Sequence, residues 1–206
     1  MHTNEVDQGE RPDSRERLIR ATLELLYEEG LDQTTTRRIA DRAGANLQLI
    51  QYHFKGKEGL IAAAQEQARL RFLQLLEPAV LQAQDLRAAI AAGLALTWRL
   101  ARDHPERMQP DLLLQERRAA GQAPGQDLPA RETQADLERL LRQVMARSGQ
   151  GLAVPMAPFI LLMMSGAAGL LMEYRISGDQ ATIGQAFDLL AERLGQLVQP
   201  AGSAEG

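Results

Sequence analysis

The chain of 206 residues contains no cysteine and only three histidines, at positions 2, 53 and 104. Disulfides and thiolate metal sites are therefore excluded, and histidines this far apart give no support to a metal site, so neither metal nor cofactor is expected. No apolar run follows a basic start at the amino terminus, which argues against a secretory signal and makes the cytoplasm the expected location. No alternating β pattern of useful length occurs, and no Pro/Gly linker separates the two halves. What is present is a 45% apolar composition, enough for a core in one large domain or a small one plus a larger one, with a net charge of −4.

Against that acidic background, residues 35–60 carry five Lys/Arg (37, 38, 42, 55, 57) and two acids (Asp41, Glu58), a local charge of +3. Thr35 can cap a short helix whose apolar side is Ile39, Ala40 and Ala43. Gly44 supplies a left-handed stop and Asn46 caps a second short helix, roughly 47–52, after almost no loop, which is a helix-turn-helix pattern. On that second helix Ile50 and Phe54, with Ala45, make one apolar stripe, while Leu47, Gln48, Gln51 and Tyr52 fall on the other side. Two amides, a phenol and an aliphatic group suit a major groove. Gln pairs bidentately with adenine and Leu meets a thymine methyl, while the Tyr52 hydroxyl, His53, Lys55 and Lys57 can meet phosphates. A hairpin used for packing alone has no need to present those groups together.

The runs Thr35-Thr-Arg-Arg-Ile-Ala-Asp-Arg-Ala-Gly44 and Tyr52-His-Phe-Lys-Gly-Lys-Glu-Gly-Leu60 resemble the amino-terminal signature of the TetR family of transcriptional regulators, over about a quarter of the chain. The resemblance implies that Thr35 and Arg37 sit near the DNA backbone. It places Leu47, Gln48 and Gln51 against bases and gives Tyr52, His53 and Lys57 to phosphates. Leu47 and Leu49 depart from the family's usual polar groups, and Gly56 stands where Ser commonly caps the fourth helix. The resemblance further implies a homodimer on a near-palindromic double-stranded operator, released by a hydrophobic small-molecule effector. A transcriptional activator of the same fold, or a helical protein-interaction module without specific DNA binding, are the alternatives.

The remaining chain reads as helices, giving an all-α expectation of about nine in total. Residues 1–12 are acidic and aperiodic, an expected disordered arm. Asp13 or Ser14 can cap a first helix with Leu18, Ala21, Thr22, Leu25 and Leu26 inward, ended by Gly30. A fourth helix over 57–76 places Leu60, Ile61, Ala64, Ala68, Phe72 and Leu75 on one side and stops at Pro78. Leu86, Ile90, Leu94, Thr97, Trp98 and Ala101 make a fifth. Met108, Leu112, Gln115 and Ala119 suggest a sixth. Leu137, Leu140, Leu141, Val144 and Met145 mark a seventh.

Residues 152–172 carry no charge, long enough to raise a membrane span. Pro155, Pro158 and the run of small residues 165–169 favour instead a core helix clamped against a second subunit, so no membrane partner is expected. The next helix places Ile183, Ala186, Phe187, Leu190, Leu194, Leu197 and Val198 on one stripe, and the pair resembles the family's four-helix dimer interface, with Leu162, Ser165, Gly166, Gly169, Phe187, Leu190 and Leu194 as interface candidates. Phe72, Trp98, Met108, Leu112, Met145, Met163, Met164 and Tyr174 are candidates to line an effector cavity, with His104, Gln109, Gln115 or Arg117 as polar handles. The expected domains are 13–58 for DNA and 59–199 for ligand and dimer, with 200–206 a disordered tail. No nucleophile, acid and base pair, or metal ligand set supports an enzyme; Glu116-Arg117-Arg118 and Glu173-Tyr174-Arg175 read as helix ends or ion pairs.

Overall fold

The computed structural model describes residues 13–104 and 128–200; the expected arm, the sixth helix and residues 201–206 lie outside them. The described residues form eight helices and one small antiparallel ribbon, arranged as two compact units that divide between Gln67 and Ala68.

The first unit holds α1 (Ser14–Gln33), α2 (Thr36–Ala43), α3 (Gln48–Phe54) and the opening turns of α4 (Lys57–Leu81). Its core is Leu18, Ile19, Ala21 and Leu25 of α1, Ile39 and Ala40 of α2, Ile50 and Phe54 of α3, and Leu60 and Ala64 of α4. The stop and start signals act as the sequence suggests. The Thr35 hydroxyl accepts from Arg38 N at 3.4 Å, Gly44 takes the left-handed conformation (φ 57°, ψ 43°), and Asn46 Oδ1 accepts from Gln48 N at 2.9 Å. Two details differ and a third refines the expectation. Neither Asp13 nor Ser14 caps α1 through its side chain; the Ser14 hydroxyl turns to Asp13 and to His53 instead. Gly30 (φ 77°, ψ 176°) breaks the helix where the sequence places its end, and a short further turn, in which the Thr34 hydroxyl donates to the Gly30 carbonyl, follows to Gln33. And α3 runs two residues past Tyr52, closing on Lys55 at φ 63°.

Gly59 marks a close approach between consecutive elements. A Cβ there would stand 1.9 Å from the Phe54 carbonyl oxygen, so the first turn of α4 lies directly on the end of α3.

The second unit holds the rest of α4, α5 (Leu86–Asp103), α6 (Leu128–Ser148), α7 (Met156–Ser177) and α8 (Gln180–Gly195). Asp85 caps α5, its carboxylate accepting from Ala88 N at 2.8 Å, and Asp179 caps α8 by accepting from Thr182 N at 3.0 Å. Pro78 does not stop α4, which continues to Leu81. A proline this near a helix end forfeits one backbone hydrogen bond, and the burial of Val80 beyond it holds the last turn in place. The inward stripe on this part of α4 is Leu73, Leu76 and Val80; Leu75 is 42% exposed, a phase shift from the sequence expectation. The β1 ribbon strand (Gln150–Leu152) pairs antiparallel with β2 (Val198–Pro200), Gly151 opposite Gln199. Pro200 is thus part of a strand rather than of a tail. The ribbon is tied to the start of α5, where Gln150 Oε1 accepts from Leu86 N at 2.8 Å and Arg87 donates to the Val198 carbonyl at 2.6 Å.

Gly59→Ala is expected to lower stability by about 1–3 kcal/mol in urea unfolding, the usual cost of forcing atoms into a filled junction. Unchanged stability would mean that the α3–α4 junction has room the geometry denies it.

Candidate nucleic-acid interface and interior cavity

On α3, helical spacing divides the side chains cleanly. Ile50 and Phe54 are buried and Leu49 is half-buried against the same core, while Gln48 and Gln51 are exposed, Leu47 is 50% exposed and Tyr52 73%. A phenol held in water on a seven-residue helix and a leucine at the residue before it, beside two free amides, are groups available to a partner surface.

The basic residues around this face are not equivalent. Arg38 pairs with Glu29, and Arg42 pairs with Glu28 at 2.9 Å and Glu24 at 3.7 Å, so two of the five cations are neutralised by the acids of α1. The hydrogen bond from Arg42 holds the Glu28 carboxyl below the usual carboxylate range, and the same bond raises the Arg42 guanidinium. Arg37 and Lys55 are exposed and have no ion-pair partner among the described residues. Half-buried His53 places Nε2 3.1 Å from the Ser14 hydroxyl, tying the end of α3 to the start of α1, and half-buried Lys57 donates to the Leu31 carbonyl at 3.4 Å beside the Gly30 interruption. Thr35 and Asn46 both spend a side-chain oxygen on caps. Among these residues, then, His53, Lys57, Thr35 and Asn46 build the hairpin as well as border its face. The sequence reading missed Arg15, whose guanidinium lies 5.5 Å from the centre of the Phe54 ring.

In the second unit, α4, α5, α6 and α7 line a partly open cavity of about 150 Å³. Phe72, Leu76 and Val80 line it from α4, Ile90, Gly93, Leu94 and Thr97 from α5, Thr133, Leu137, Leu140 and Leu141 from α6, and Met163, Met164, Ala167, Ala168 and Leu171 from α7. Three of the candidate lining residues, Phe72, Met163 and Met164, are there. Trp98 and Tyr174 are not. Trp98 stacks on Phe187 at 5.5 Å and meets Tyr174 edge-on at 4.9 Å, and it opens onto a separate surface depression between α5 and α8 edged by Arg87, Arg99 and Arg102. His104 is exposed at the end of α5, and Met145 packs beside Gly151 of the ribbon. Met108, Gln109, Leu112, Gln115 and Arg117 lie outside the described residues. Gly93 and Thr133 were missed; a glycine and a threonine give no sequence signal that separates a cavity wall from a helix surface.

The outward side of α7 and α8 shows Leu161 (61% exposed), Leu162, Ile176 and Leu189, with Ser165 and Gly169 also exposed. Phe187 and Leu194, expected at an interface, are instead buried in the chain's own core, and Gly166 faces Leu190, where an added Cβ would stand 3.1 Å from Leu190 Cδ2. The small residue at 166 thus lets α7 and α8 of one chain pack closely. By length and composition α7 could cross a membrane, with only 28% of its most apolar window buried, but it also gives Phe159, Ile160, Met163 and Leu171 to the core.

Residues 18–64 match the family described as bacterial regulatory proteins, tetR family. HTH-type transcriptional regulator BetI 1 of Chromohalobacter salexigens is 44% identical over 59 residues, 29% of each chain. Tetracycline repressor protein class C of Escherichia coli is 44% identical over 52 residues, 25% of this chain and 24% of that one. A transcriptional regulator from Rhodococcus sp. Rha1 superimposes with a TM-score of 0.74 at 22% identity, over 89% of this chain and 95% of its own. A TetR family transcription regulator from Marinobacter aquaeolei VT8 does so with 0.65 at 18%, over 87% and 94%. Residues 18–64 are thus a tetR-family domain.

The two kinds of likeness divide the chain in two. The family model matches within the hairpin unit, and the matched segments span less than a third of the curated relatives' length. Beyond it, the likeness to solved structures is one of fold. The Gly56 departure leaves α4 without a side-chain cap from that position, but the Gly56 carbonyl still accepts from Leu60 N at 3.2 Å, so the helix starts on its backbone.

The Glu28–Arg42 pair has a defined pH signature. A carboxyl held below its ordinary range contributes stability that is present above its unfolded value, about pH 4.3, and is lost as pH falls through the depressed one. The stability difference between the wild type and Glu28→Gln, followed by circular dichroism, should therefore be largest near neutrality and vanish in acid; a difference that grows in acid would contradict the pairing.

Proposed function

We propose that the chain is a dimeric transcriptional repressor, which binds a near-palindromic operator through α3 and is released by a hydrophobic small molecule in the cavity. The observation that carries this reading is the exposed face of Leu47, Gln48, Gln51 and Tyr52, set on a helix whose opposite face is locked into the hairpin core. In this reading Gln48, Gln51 and Leu47 meet base edges, and Thr35, Arg37, Asn46, Tyr52, His53, Lys55 and Lys57 border or contact the phosphates. Residues 13–58 serve DNA and 59–199 serve effector and dimer, and no catalytic role is assigned.

A single short recognition helix reads a few base pairs, so a two-fold dimer with half-sites in successive major grooves supplies the needed affinity. The exposed Leu161, Leu162, Ser165 and Gly169 of α7, with Ile176 and Leu189, offer a surface for it. Burying large aliphatic side chains gains roughly 1.5–3 kcal/mol each, so these four large residues contribute on the order of the association cost, and the interface must extend beyond them. The same burial explains an apolar helix with little of its surface covered in one chain.

Release requires the effector to prefer a state other than the DNA-binding one, by roughly 5.5 kcal/mol to invert the populations fully. Helix α4 runs from the hairpin core, where it places Leu60 and Ala64, to the cavity wall, where it places Phe72, Leu76 and Val80, so one continuous helix belongs to both processes.

Gln48→Ala and Gln51→Ala are expected to cost roughly 1–3 kcal/mol on the preferred operator and little on unrelated DNA. Lys55→Ala, which breaks no described contact, should weaken all sequences alike and reduce the salt slope by about one. Equal losses on operator and unrelated DNA from the glutamine substitutions would remove α3 from base reading.

A further inference from the structure

The chemistry of the cavity wall narrows what it can hold. No described lining residue carries a charge, and the only polar side chains are Thr97 and Thr133. The Thr97 hydroxyl already donates to the Gly93 carbonyl at 2.9 Å, so its proton is committed and its oxygen keeps acceptor capacity on a residue that lines the cavity. Two cations on the flanking parts of α4 and α6 are committed: Arg69 is nearly buried and pairs with Asp136 and with Glu132 at 3.6 Å, and Arg139 reaches Glu77 at 3.3 Å and Asp136 at 3.5 Å. Arg71, beside Phe72 on α4, is exposed and does not line the cavity. An ionised carboxylate entering this space would lose its hydration with no charged side chain on the described wall to meet it, and such transfers are among the most costly in proteins. A cavity of about 150 Å³ walled by Leu, Ile and Phe is of the size that admits one benzene molecule.

We propose that the cavity takes an uncharged molecule of about the bulk of one benzene ring that carries a hydrogen-bond donor for the Thr97 oxygen, and that it rejects organic anions of the same shape. This rests on the cavity being the effector site. The ligand's ring replaces no ordered charge and fills an apolar space between Phe72, Leu94, Leu137 and Met163, while its donor finds an acceptor in Thr97, whose own proton is directed to the Gly93 carbonyl. Thr97 is accordingly a specificity residue: it separates ligands with a donor from hydrocarbons of the same bulk.

The test titrates the full chain at pH 7 with phenol, toluene and benzoate by calorimetry, in the wild type, Thr97→Val and Ala167→Phe. Phenol and toluene are expected to bind and benzoate not to. Thr97→Val, which keeps the volume, should weaken phenol about three- to tenfold, the worth of one hydrogen bond, and leave toluene within about twofold. Ala167→Phe, which fills the cavity, should abolish both. Benzoate binding as well as phenol, a Thr97→Val loss shared equally by toluene, phenol binding that survives Ala167→Phe, or no binding of any probe would each overturn the proposal. Operator affinity measured with and without phenol keeps the two readings apart: binding that obeys this pattern without changing operator affinity upholds the ligand class and removes the cavity from the release mechanism.

Discussion

The burial of Ile50 and Phe54 is the constraint on which the rest of the hairpin depends. These two side chains, four residues apart on α3, are buried in one core with Leu18, Leu25, Ile39 and Leu60, which fixes the helix's rotational setting. Everything that makes α3 a candidate reading helix follows from that setting: Gln48, Gln51 and Tyr52 point outward because their neighbours point in. The Phe54 carbonyl is then boxed by Gly59, the Phe54 ring is covered by Arg15, and the adjacent His53 reaches Ser14. Polar and charged groups that look like ligands for phosphate are thereby also the fasteners of the helix they sit beside. A phosphate meeting His53 or Lys57 would meet a group already oriented by Ser14 or by the Leu31 carbonyl, which spares part of the ordering cost of binding.

Charge in this unit is arranged rather than simply present. The local excess of basic residues over 35–60 is partly cancelled by Glu24, Glu28 and Glu29 of α1, which engage Arg38 and Arg42. The unpaired positive charge that remains is concentrated on Arg37, Lys55 and Lys57. Exposed pairs of this kind add little to stability, so their consequence is chiefly to shape the field that DNA would meet.

How much of this was legible in the sequence depended on whether local rules or tertiary packing decided the outcome. Thr35, Gly44 and Asn46 act within a few residues, and their caps and stop are as the sequence implies. Gly30 breaks α1 as its local signal implies, whereas the equally strong signal of Pro78 was overridden by the burial of Val80. In the second unit, helical periodicity located the helices but could not say which neighbour each stripe would face. Trp98 and Tyr174 went to an aromatic cluster, Phe187 and Leu194 to the chain's own core, and Gly166 to a contact with Leu190. A large apolar residue carries the same pattern whether it lines a cavity, fills a core or awaits a second subunit. The cavity itself owes its shape to small residues, Gly93, Ala167 and Ala168, whose contribution is the volume they do not fill.

The central claim is that the outward face of α3 selects DNA sequence, and the most direct measurement is a selection from random-sequence duplexes by the purified chain at two salt concentrations. The account predicts enrichment of a two-fold site, its half-sites about one helical turn apart, with affinity for the enriched pool falling steeply as salt rises and preference for the site outlasting non-specific binding. Recovery of an unenriched pool, bound with affinity that does not respond to salt, would contradict it.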